Sequence, residues 1–225
     1  MDVAPSEREE FLARLPAADV QALMACGTRH TWPPGAVVFV EGERSDRVVV
    51  VLSGRVKISS KSEGEAEVVL AFRGSGTLLG ELSAIDQRPR SATVTAVGKV
   101  DGLVVDASAF WDFLAGHPAA SLLLLRTLAG RLRDSDRKRV EFGTHDAVGR
   151  VARRLIELAD RFGEPGPDGI RIGLRFTQEE LAGWSGSSRE AVVKALRRLR
   201  ARGCVQTKRM TVVITDLDLL RRYSR

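Results

Sequence analysis

The spacing of hydrophobic residues changes repeatedly along this 225-residue chain. Over residues 7–26 apolar residues recur at helical spacing with a break at Pro16, which predicts one or two short helices. From Thr31 onwards they fall into short β-rich runs separated by glycines, which is typical of an antiparallel barrel or sandwich. The predicted strands are residues 37–40, 48–52, 55–59, 67–72, 91–97 and 100–105.

Helical spacing returns after Asp106. It predicts a short helix from Ala107 to Phe113 and a long helix from Ala119 to about Glu141. One face of the long helix is apolar for three turns before charged residues replace it, at Leu122, Leu125, Leu128, Ala129 and Leu132. Such a stripe suits a coiled coil between two chains, and the alternative is a helix packed on its own barrel.

Gly143 to Asp146 interrupts the long helix, and Asp146 is placed to cap a further helix from Ala147 to Phe162. We interpret the interruption as a domain boundary. The predicted domains are a barrel over residues 1–118, a dimerisation helix over 119–143 and a third domain over 144–225. Residues 163–169 read as a loop and residues 170–174 as a short strand.

The third domain carries two capped helices in succession. Thr177 and Glu180 have the spacing of a capping box, which opens a helix that ends at Trp184. Ser185 to Ser187 supplies a turn, and Ser188 is placed to cap a second helix over residues 189–202. Two short strands, 205–207 and 211–215, then form a hairpin with Lys208 and Arg209 near its tip. This order predicts a winged helix-turn-helix, and the alternative is a small helical domain with a solvated charged face.

Positive charge is concentrated in this last part of the chain. Residues 1–143 contain 18 basic and 19 acidic residues, whereas residues 144–225 contain 17 basic and 10 acidic residues. A basic module attached to a neutral one is typical of nucleic-acid-binding proteins, although acidic lipid or protein surfaces also attract basic patches. Double-stranded DNA is therefore the expected partner, contacted at base edges by the first turns of the second helix.

A second cluster of polar residues lies between two predicted strands, from Leu79 to Ala92. Gly80 lets the backbone approach a ligand, and Arg90 offers a planar fork that suits phosphate oxygens. The Glu81 carboxylate would serve a hydroxyl rather than a phosphate. The combination suits a sugar phosphate, and the alternative is an ordinary surface turn with a salt bridge.

Other classes of site find little support in the sequence. Cys26 and Cys204 are far apart and lack neighbours at metal-ligand spacing, so we expect free thiols in a reducing compartment and no metal site. The sequence contains no complete catalytic motif, which favours a protein that is not an enzyme. With no membrane span and no signal-peptide pattern, we expect a cytoplasmic protein without a membrane partner.

Taken together, these features resemble the cyclic-AMP receptor protein/FNR (CRP/FNR) family of bacterial transcription regulators over essentially the whole chain. Gly80-Glu81-Leu82 followed by Arg90-Ser91-Ala92 is similar to the family's phosphate-binding cassette. Ser188-Arg189-Glu190, with Lys194 one turn later, is similar to its recognition helix. The resemblance implies an α+β fold, in which an N-terminal antiparallel jelly-roll barrel binds a cyclic nucleotide and a C-terminal winged helix-turn-helix binds DNA.

The resemblance also implies roles for individual residues. Arg90 and the Ser91 hydroxyl, with backbone amides near Ser83, would hold the cyclic phosphate, and Glu81 would accept from the ribose 2′-hydroxyl. The nucleotide would further contact Ile58, Leu70, Gly80, Leu82, Ala92, Arg131, Ser135 and Asp136. The DNA would meet Thr177, Glu179, Ser188, Arg189, Glu190, Lys194, Lys208 and Arg209.

These expectations define a homodimeric regulator that responds to cyclic AMP, has no covalently bound cofactor and has RNA polymerase as a further partner. One departure from the family stands out, because the residue after Ser135 is usually small and polar but here is Asp136. A carboxylate only accepts hydrogen bonds, which suits the paired donors of guanine. Cyclic GMP, no nucleotide at all, or a regulatory subunit that acts on a partner protein are the alternatives.

Overall fold

The computed structural model describes residues 10–61, 67–208 and 211–224, with only the backbone at Lys208. The chain separates into two compact units, and on the long helix their boundary lies between Asp134 and Ser135. The first unit holds the predicted barrel, and the second holds the predicted helix-turn-helix.

The first unit opens with a 3-10 turn (Phe11–Arg14) and helix α1 (Ala17–Ala25), as the early helical spacing predicts. Its strands are β1 (Gly27–Trp32), β2 (Val37–Phe39), β3 (Arg47–Ser53), β4 (Val56–Lys61), β5 (Glu67–Arg73), β6 (Leu78–Leu79), β7 (Thr93–Ala96) and β8 (Val100–Asp106), although residues 67–69 of β5 group with the second unit. Helix α2 (Glu81–Asp86) lies between β6 and β7. Helices α3 (Ala107–Gly116) and α4 (Pro118–Thr144) follow β8.

In the described part of this unit the strands form two four-stranded sheets, in the orders β1-β8-β3-β6 and β2-β7-β4-β5. Strand β3 shows how the sequence builds the core, because successive side chains of a strand point to opposite faces. Val48 and Val50 pack with residues of the helices, including Phe11, Leu23, Phe110 and Leu123. Val49 and Val51 pack with residues of the second sheet, including Phe39, Val56 and Val94. A strand buried on both faces therefore reads as a continuous apolar run.

Helix α4 has two apolar rows rather than one. Ala120, Leu123 and Leu124 belong to the core of the first unit. Leu122, Leu125 and Leu132 are instead 48%, 64% and 64% exposed. The helix thus packs on its own barrel and still presents a second apolar row outside it.

The second unit contains the end of α4 and the elements that follow it. These are α5 (Ala147–Phe162), β9 (Gly163–Gly166), β10 (Gly169–Ile172), α6 (Gln178–Ser185), α7 (Arg189–Ala201), β11 (Val205–Lys208), β12 (Thr211–Ile214) and α8 (Leu217–Tyr223). The strands form one sheet in the order β11-β12-β10-β9. The predicted cap of α5 is present, because Asp146 Oδ1 accepts from the Gly149 amide at 2.8 Å.

Three strands depart from the sequence-based expectations, and the shortest is the two-residue β6, which no predicted run covers. Residues 163–169 were expected to form a loop, but β9 pairs with β10 and places Pro165 opposite Ile170. Proline is tolerated there because β9 is the edge strand of its sheet. Strand β1 was missed because its residues are polar and largely exposed at another sheet edge, so that apolar alternation is lacking.

Within residues 10–61, 67–208 and 211–224, no helix is long and apolar enough to cross a membrane. The same residues contain no group of three His, Cys, Asp or Glu side chains that could hold a metal ion. Both cysteines are free.

The two thiols are expected to differ sharply in reactivity. Cys204 is buried, and desolvation raises the pKa of its thiol, with Asp216 acting in the same direction. Cys26 is partly exposed. Because the thiolate is the reactive form, an aromatic disulfide reagent should modify Cys26 in the native protein and Cys204 only after unfolding. Mass mapping of the labelled peptides checks this, with Cys26→Ser as the control, and native labelling of both thiols at equal rates would contradict it.

Candidate nucleotide-binding and DNA-binding sites

Gly80 is the residue around which the predicted cassette folds. It precedes α2 with φ of 79°, in the left-handed region that favours glycine. A Cβ at this position would lie 2.5 Å from Arg90 Nη1 and 3.0 Å from the Phe39 ring. Glycine is therefore required both by the backbone and by the close approach of the arginine.

The Arg90 guanidinium is buried, with 4% of the residue exposed. Nη1 donates to the Gly80 carbonyl at 2.8 Å, and Nη2 donates to Ser45 Oγ and the Arg47 carbonyl, both at 2.6 Å. The guanidinium also lies over the Phe39 ring, 3.8 Å from its centre. Nε is buried without a hydrogen-bond partner among the described residues. Burial lowers the pKa of Arg90, and the nearby Glu81 carboxylate opposes this.

Glu81 and Arg131 form an ion pair beside this arginine. The Glu81 side chain is 4% exposed, and its Oε1 lies 2.5 Å from Arg131 Nη1. Arg131 Nη2 also donates to the Leu78 carbonyl at 2.9 Å. Through Arg131, α4 therefore contacts both the first residue of β6 and the first residue of α2. Since Glu81 and Arg131 compensate each other, Arg90 supplies one net positive charge. That charge and the unpartnered Nε–H suit an anion with a single negative charge, such as a phosphate diester.

These contacts unite four of the predicted nucleotide residues: Gly80, Glu81, Arg90 and Arg131. The other predicted residues lie outside this set of contacts. Ser83 is buried on α2, Ala92 and Ile58 are partly buried, and Leu70, Leu82, Ser91, Ser135 and Asp136 are exposed. Ile58 packs against the core shared by the two sheets.

The helix-turn-helix of the second unit forms as its capping residues predict. Thr177 Oγ1 accepts from the Glu180 amide at 3.0 Å, and Glu180 Oε2 accepts from the Thr177 amide at 2.8 Å. Gly186 ends α6 in the left-handed conformation, with φ of 57°. Ser188 Oγ then accepts from the Ala191 amide at 3.1 Å and starts α7. The buried face of α7 consists of Val192, Ala195, Leu196 and Leu199.

The opposite face of α7 is polar and exposed, and it carries Arg189, Glu190 and Lys194. Hydrogen bonds from its own amide and from Ser188 lower the pKa of Glu190, which keeps an acceptor at the first turn. Arg189 Nε lies 3.8 Å from Glu179 Oε2, with both side chains largely exposed. The side chain of Lys208 and the whole of Arg209 lie outside the described residues.

A groove separates the start of α6 from the hairpin formed by β11 and β12. Its lining includes three of the predicted DNA-binding residues, Thr177, Glu179 and Arg189, together with Gln178 and Thr207. Gln178 is not among the predicted DNA-binding residues, although its exposed side-chain amide makes it a candidate. An amide can donate to a phosphate, whereas the carboxylate of Glu179 cannot.

Comparisons with known proteins bear on both units. Residues 29–117 match the model of the cyclic nucleotide-binding domain, and residues 149–223 match that of the Crp-like helix-turn-helix domain. The CRP-like cAMP-activated global transcriptional regulator of Mycobacterium tuberculosis is 37% identical over 194 residues, which are 86% of this chain and 87% of that protein. The chain belongs to the CRP/FNR family.

Other CRP/FNR members extend the comparison. The cyclic AMP receptor protein of Thermus thermophilus is 29% identical, with 90% of each chain covered. The structure of the c-di-GMP responsive global regulator CLP of Xanthomonas campestris has a TM-score of 0.76 at 26% identity, with 89% of this chain and 100% of that chain covered. These relatives are transcription regulators and not enzymes.

Membership of the CRP/FNR family confirms the predicted α+β fold, with a β-rich cyclic nucleotide-binding domain, a long helix and a helix-turn-helix domain. It also confirms the predicted class of function. The chain is a DNA-binding transcription regulator with a cyclic nucleotide-binding domain.

Proposed function

We propose that this protein is a homodimeric regulator that binds cyclic AMP and then binds a near-palindromic operator. The observation that carries the proposal is the buried Arg90, whose Nε–H has no hydrogen-bond partner among the residues that the structure describes, while Glu81 and Arg131 neutralise each other beside it. The relatives from M. tuberculosis and T. thermophilus are named for cyclic AMP, which favours this nucleotide.

In the proposed complex the phosphate binds to Arg90, the Ser91 hydroxyl and the backbone near Ser83. The ribose 2′-hydroxyl donates to Glu81, which Arg131 holds in place. Ile58 and Leu70 line the base, and the base edge meets Ser135 and Asp136 further along α4. Binding would favour one arrangement of the two DNA-reading helices over others, as a population shift.

The exposed row of α4 supports the proposed dimer. Leu122, Leu125, Ala129 and Leu132 are spaced alternately by three and four residues, as at the seam of a two-stranded coiled coil. Leucines that are about half or more exposed on a helix already packed on its barrel leave an apolar row that a second copy would cover. The same face of the helix continues to Asp136. Each copy of the chain would therefore place Asp136, a candidate contact to the base of the nucleotide, near the two-fold axis of the dimer.

Replacing Leu125 and Leu132 by glutamate is expected to dissociate the dimer. Each change removes a buried apolar contact worth about 1.5–3 kcal/mol and places like charges near each other across the axis. Sedimentation should show a monomer where the parent sediments as a dimer. Val37→Glu, at another exposed apolar residue, is the control and should stay dimeric. A double variant that remains dimeric would place the interface elsewhere.

In the proposed DNA complex Arg189, Glu190 and Lys194 lie against base edges in the major groove, while Thr177, Gln178 and Ser188 contact the backbone. Lys208 and Arg209 would add phosphate contacts from the wing. The family resemblance suggests a TGTGA-like half-site. In a two-fold dimer the half-sites should lie about 34 Å apart, or one helical turn.

An operator-binding titration tests the whole proposal. The full-length protein is titrated onto a palindromic TGTGA-type duplex without nucleotide, with cyclic AMP and with cyclic GMP at fixed salt. Tight binding only with cyclic AMP is the expected result. Equal binding in all three conditions would instead favour a regulator that responds to no nucleotide. Tight nucleotide binding with only weak, sequence-independent DNA binding would favour a regulatory subunit that acts on a partner protein.

Cyclic GMP is the second candidate effector, because Asp136 offers acceptors where guanine offers paired donors. If this candidate is correct, Asp136→Ser should shift preference toward cyclic AMP by about tenfold, the effect of one charge-assisted hydrogen bond. Calorimetric titration of both nucleotides measures the ratio. Asp134→Ser, two residues earlier on the same helix, is the control. An unchanged ratio in Asp136→Ser would remove this candidate.

A further inference from the structure

The second unit contains a buried carboxylate that belongs to neither candidate site. Glu141 lies in the last turn of α4 with only 4% of the residue exposed. Its Oε1 accepts from Arg153 Nη1 at 3.0 Å, and its Oε2 accepts from Arg154 Nη2. Both arginines belong to α5, across the interruption at residues 145–146.

The cluster reaches further than this pair of helices. Arg154 is 4% exposed, donates to Glu157 at 2.8 Å and lies 5.6 Å from the centre of the Trp184 ring of α6. Lys138 of α4 lies 5.7 Å from the same ring. Arg153 Nε also donates to the Ser224 carbonyl at the end of α8, at 2.7 Å. One carboxylate therefore connects α4 to the helices that surround α7.

The next residue of α4 makes an apolar contact with the helix-turn-helix itself. Phe142 lies beside Gly186, where a Cβ would fall 2.2 Å from the ring. Arg150 of α5 completes the junction, because its guanidinium donates to the carbonyls of His145, Ser185 and Gly186. The interruption between α4 and α5 is thereby tied to the turn that precedes the recognition helix.

Glu141 occupies an unfavourable position for a carboxylate. The C-terminal end of a helix carries partial negative charge, and burial adds a desolvation cost. Arg137 of α4 itself lies 3.8 Å from Glu141 Oε1 and stays beside it, whereas the two guanidiniums of α5 offset these penalties only while α4 and α5 keep this geometry. Separating the two helices would remove two of the three cationic partners of a buried carboxylate, which favours the packed arrangement.

We propose that Glu141 is a positioning residue that clamps the last turns of α4 to the winged helix-turn-helix, so that both move as one body. Movement would then arise upstream, near the boundary of the units at Asp134 and Ser135, rather than at the interruption over residues 143–146. Any change in the direction of α4 beyond Ser135 would pass directly to α7. The effect on operator binding rests on the proposed function, whereas the clamp itself does not.

Hydrogen exchange of the full-length Glu141→Gln protein tests the clamp. Amides of residues 139–145 should exchange faster by about tenfold or more, while amides of the buried faces of α5 and α7 keep the parent rates. Glu164→Gln, which removes an exposed carboxylate paired with Arg171 in the same unit, is the matched control and should match the parent. No change in residues 139–145, or equal acceleration throughout the unit, would overturn the proposal.

If Glu141→Gln does not fold, a less disruptive substitution still tests the clamp. Arg153→Gln removes one of the two cationic partners on α5 and keeps Arg154 and Arg137, so a smaller acceleration confined to residues 139–145 and the end of α8 is expected. Uniform acceleration or none would overturn the proposal there as well.

Operator binding separates the clamp from the proposed function. Glu141→Gln should keep the parent affinity for cyclic AMP and lose about tenfold or more of the nucleotide's effect on operator affinity. If parent and variant both fail to bind the operator while the selective exchange effect is present, the proposed function fails and the clamp stands. An undiminished nucleotide effect on operator affinity in a responsive parent would overturn the clamp's role.

Discussion

Arg90→Gln is expected to lower the affinity for cyclic AMP by about 100-fold or more. The substitution removes the charged donor proposed for the phosphate, and hydrogen bonds to charged groups contribute about 1.5–3 kcal/mol each. It also removes the donors that serve the Gly80 and Arg47 carbonyls. The free energy of unfolding should therefore fall as well, by about 1–3 kcal/mol for each group left without a partner. Calorimetric titration and urea unfolding measure the two effects.

Two further variants separate the ligand effect from the structural one. Arg88→Gln changes an exposed arginine two residues away and should leave both quantities at the parent values. Arg90→Lys keeps the charge but loses the planar fork, so it should fall between parent and Arg90→Gln. If Arg90→Gln is destabilised and still binds cyclic AMP as the parent does, Arg90 is structural and the phosphate binds elsewhere.

Arg189→Ala is expected to remove most of the preference for the operator over unrelated DNA. A bidentate arginine–guanine contact contributes about 1–3 kcal/mol of discrimination, and a dimer would make it once in each half-site. Operator affinity should therefore fall by roughly 10- to 100-fold for each half-site, while sequence-independent binding changes little. In the free protein Arg189 also makes an exposed ion pair with Glu179. This pair offsets little of the loss in operator affinity, since exposed ion pairs contribute about 0–1 kcal/mol.

Fluorescence anisotropy at fixed salt provides the measurement. The two DNA probes are the operator duplex and a variant duplex in which the guanines of each half-site are replaced. The control protein is Arg222→Ala, which changes an exposed arginine of α8. The parent should discriminate between the two duplexes and Arg189→Ala should not. If Arg189→Ala binds every sequence as the parent does, Arg189 is not a base-reading residue.

The elements most faithfully predicted from sequence are those fixed by local chemistry. The capping box of Thr177 and Glu180 and the caps at Asp146 and Ser188 depend on residues three positions apart, and each is present in the structure. The strands of the first unit were largely located because their apolar residues occur in short runs between glycines. The roles of the individual site residues, by contrast, remain predictions for the titrations above.

What could not be predicted depends on distant parts of the chain. Glu141 follows a run of charges over residues 133–139 that reads as a solvated helix end, and only the packing of α5 shows that it is buried. Nothing near Glu81 in sequence indicates its pairing with Arg131, fifty residues later. The family resemblance placed both residues at the nucleotide but did not reveal this contact between them.

The contact between Phe142 and Gly186 implies a shared constraint on how the sequence can diverge. The ring occupies the volume that a side chain at position 186 would need, so the two positions divide one fixed space. A side chain at 186 would also have to adopt the left-handed backbone of this position, so glycine is favoured there for two separate reasons. Among the residues that tolerate this conformation, such as asparagine, replacement of Gly186 should accompany a smaller residue at 142, although the two positions lie 44 apart along the chain.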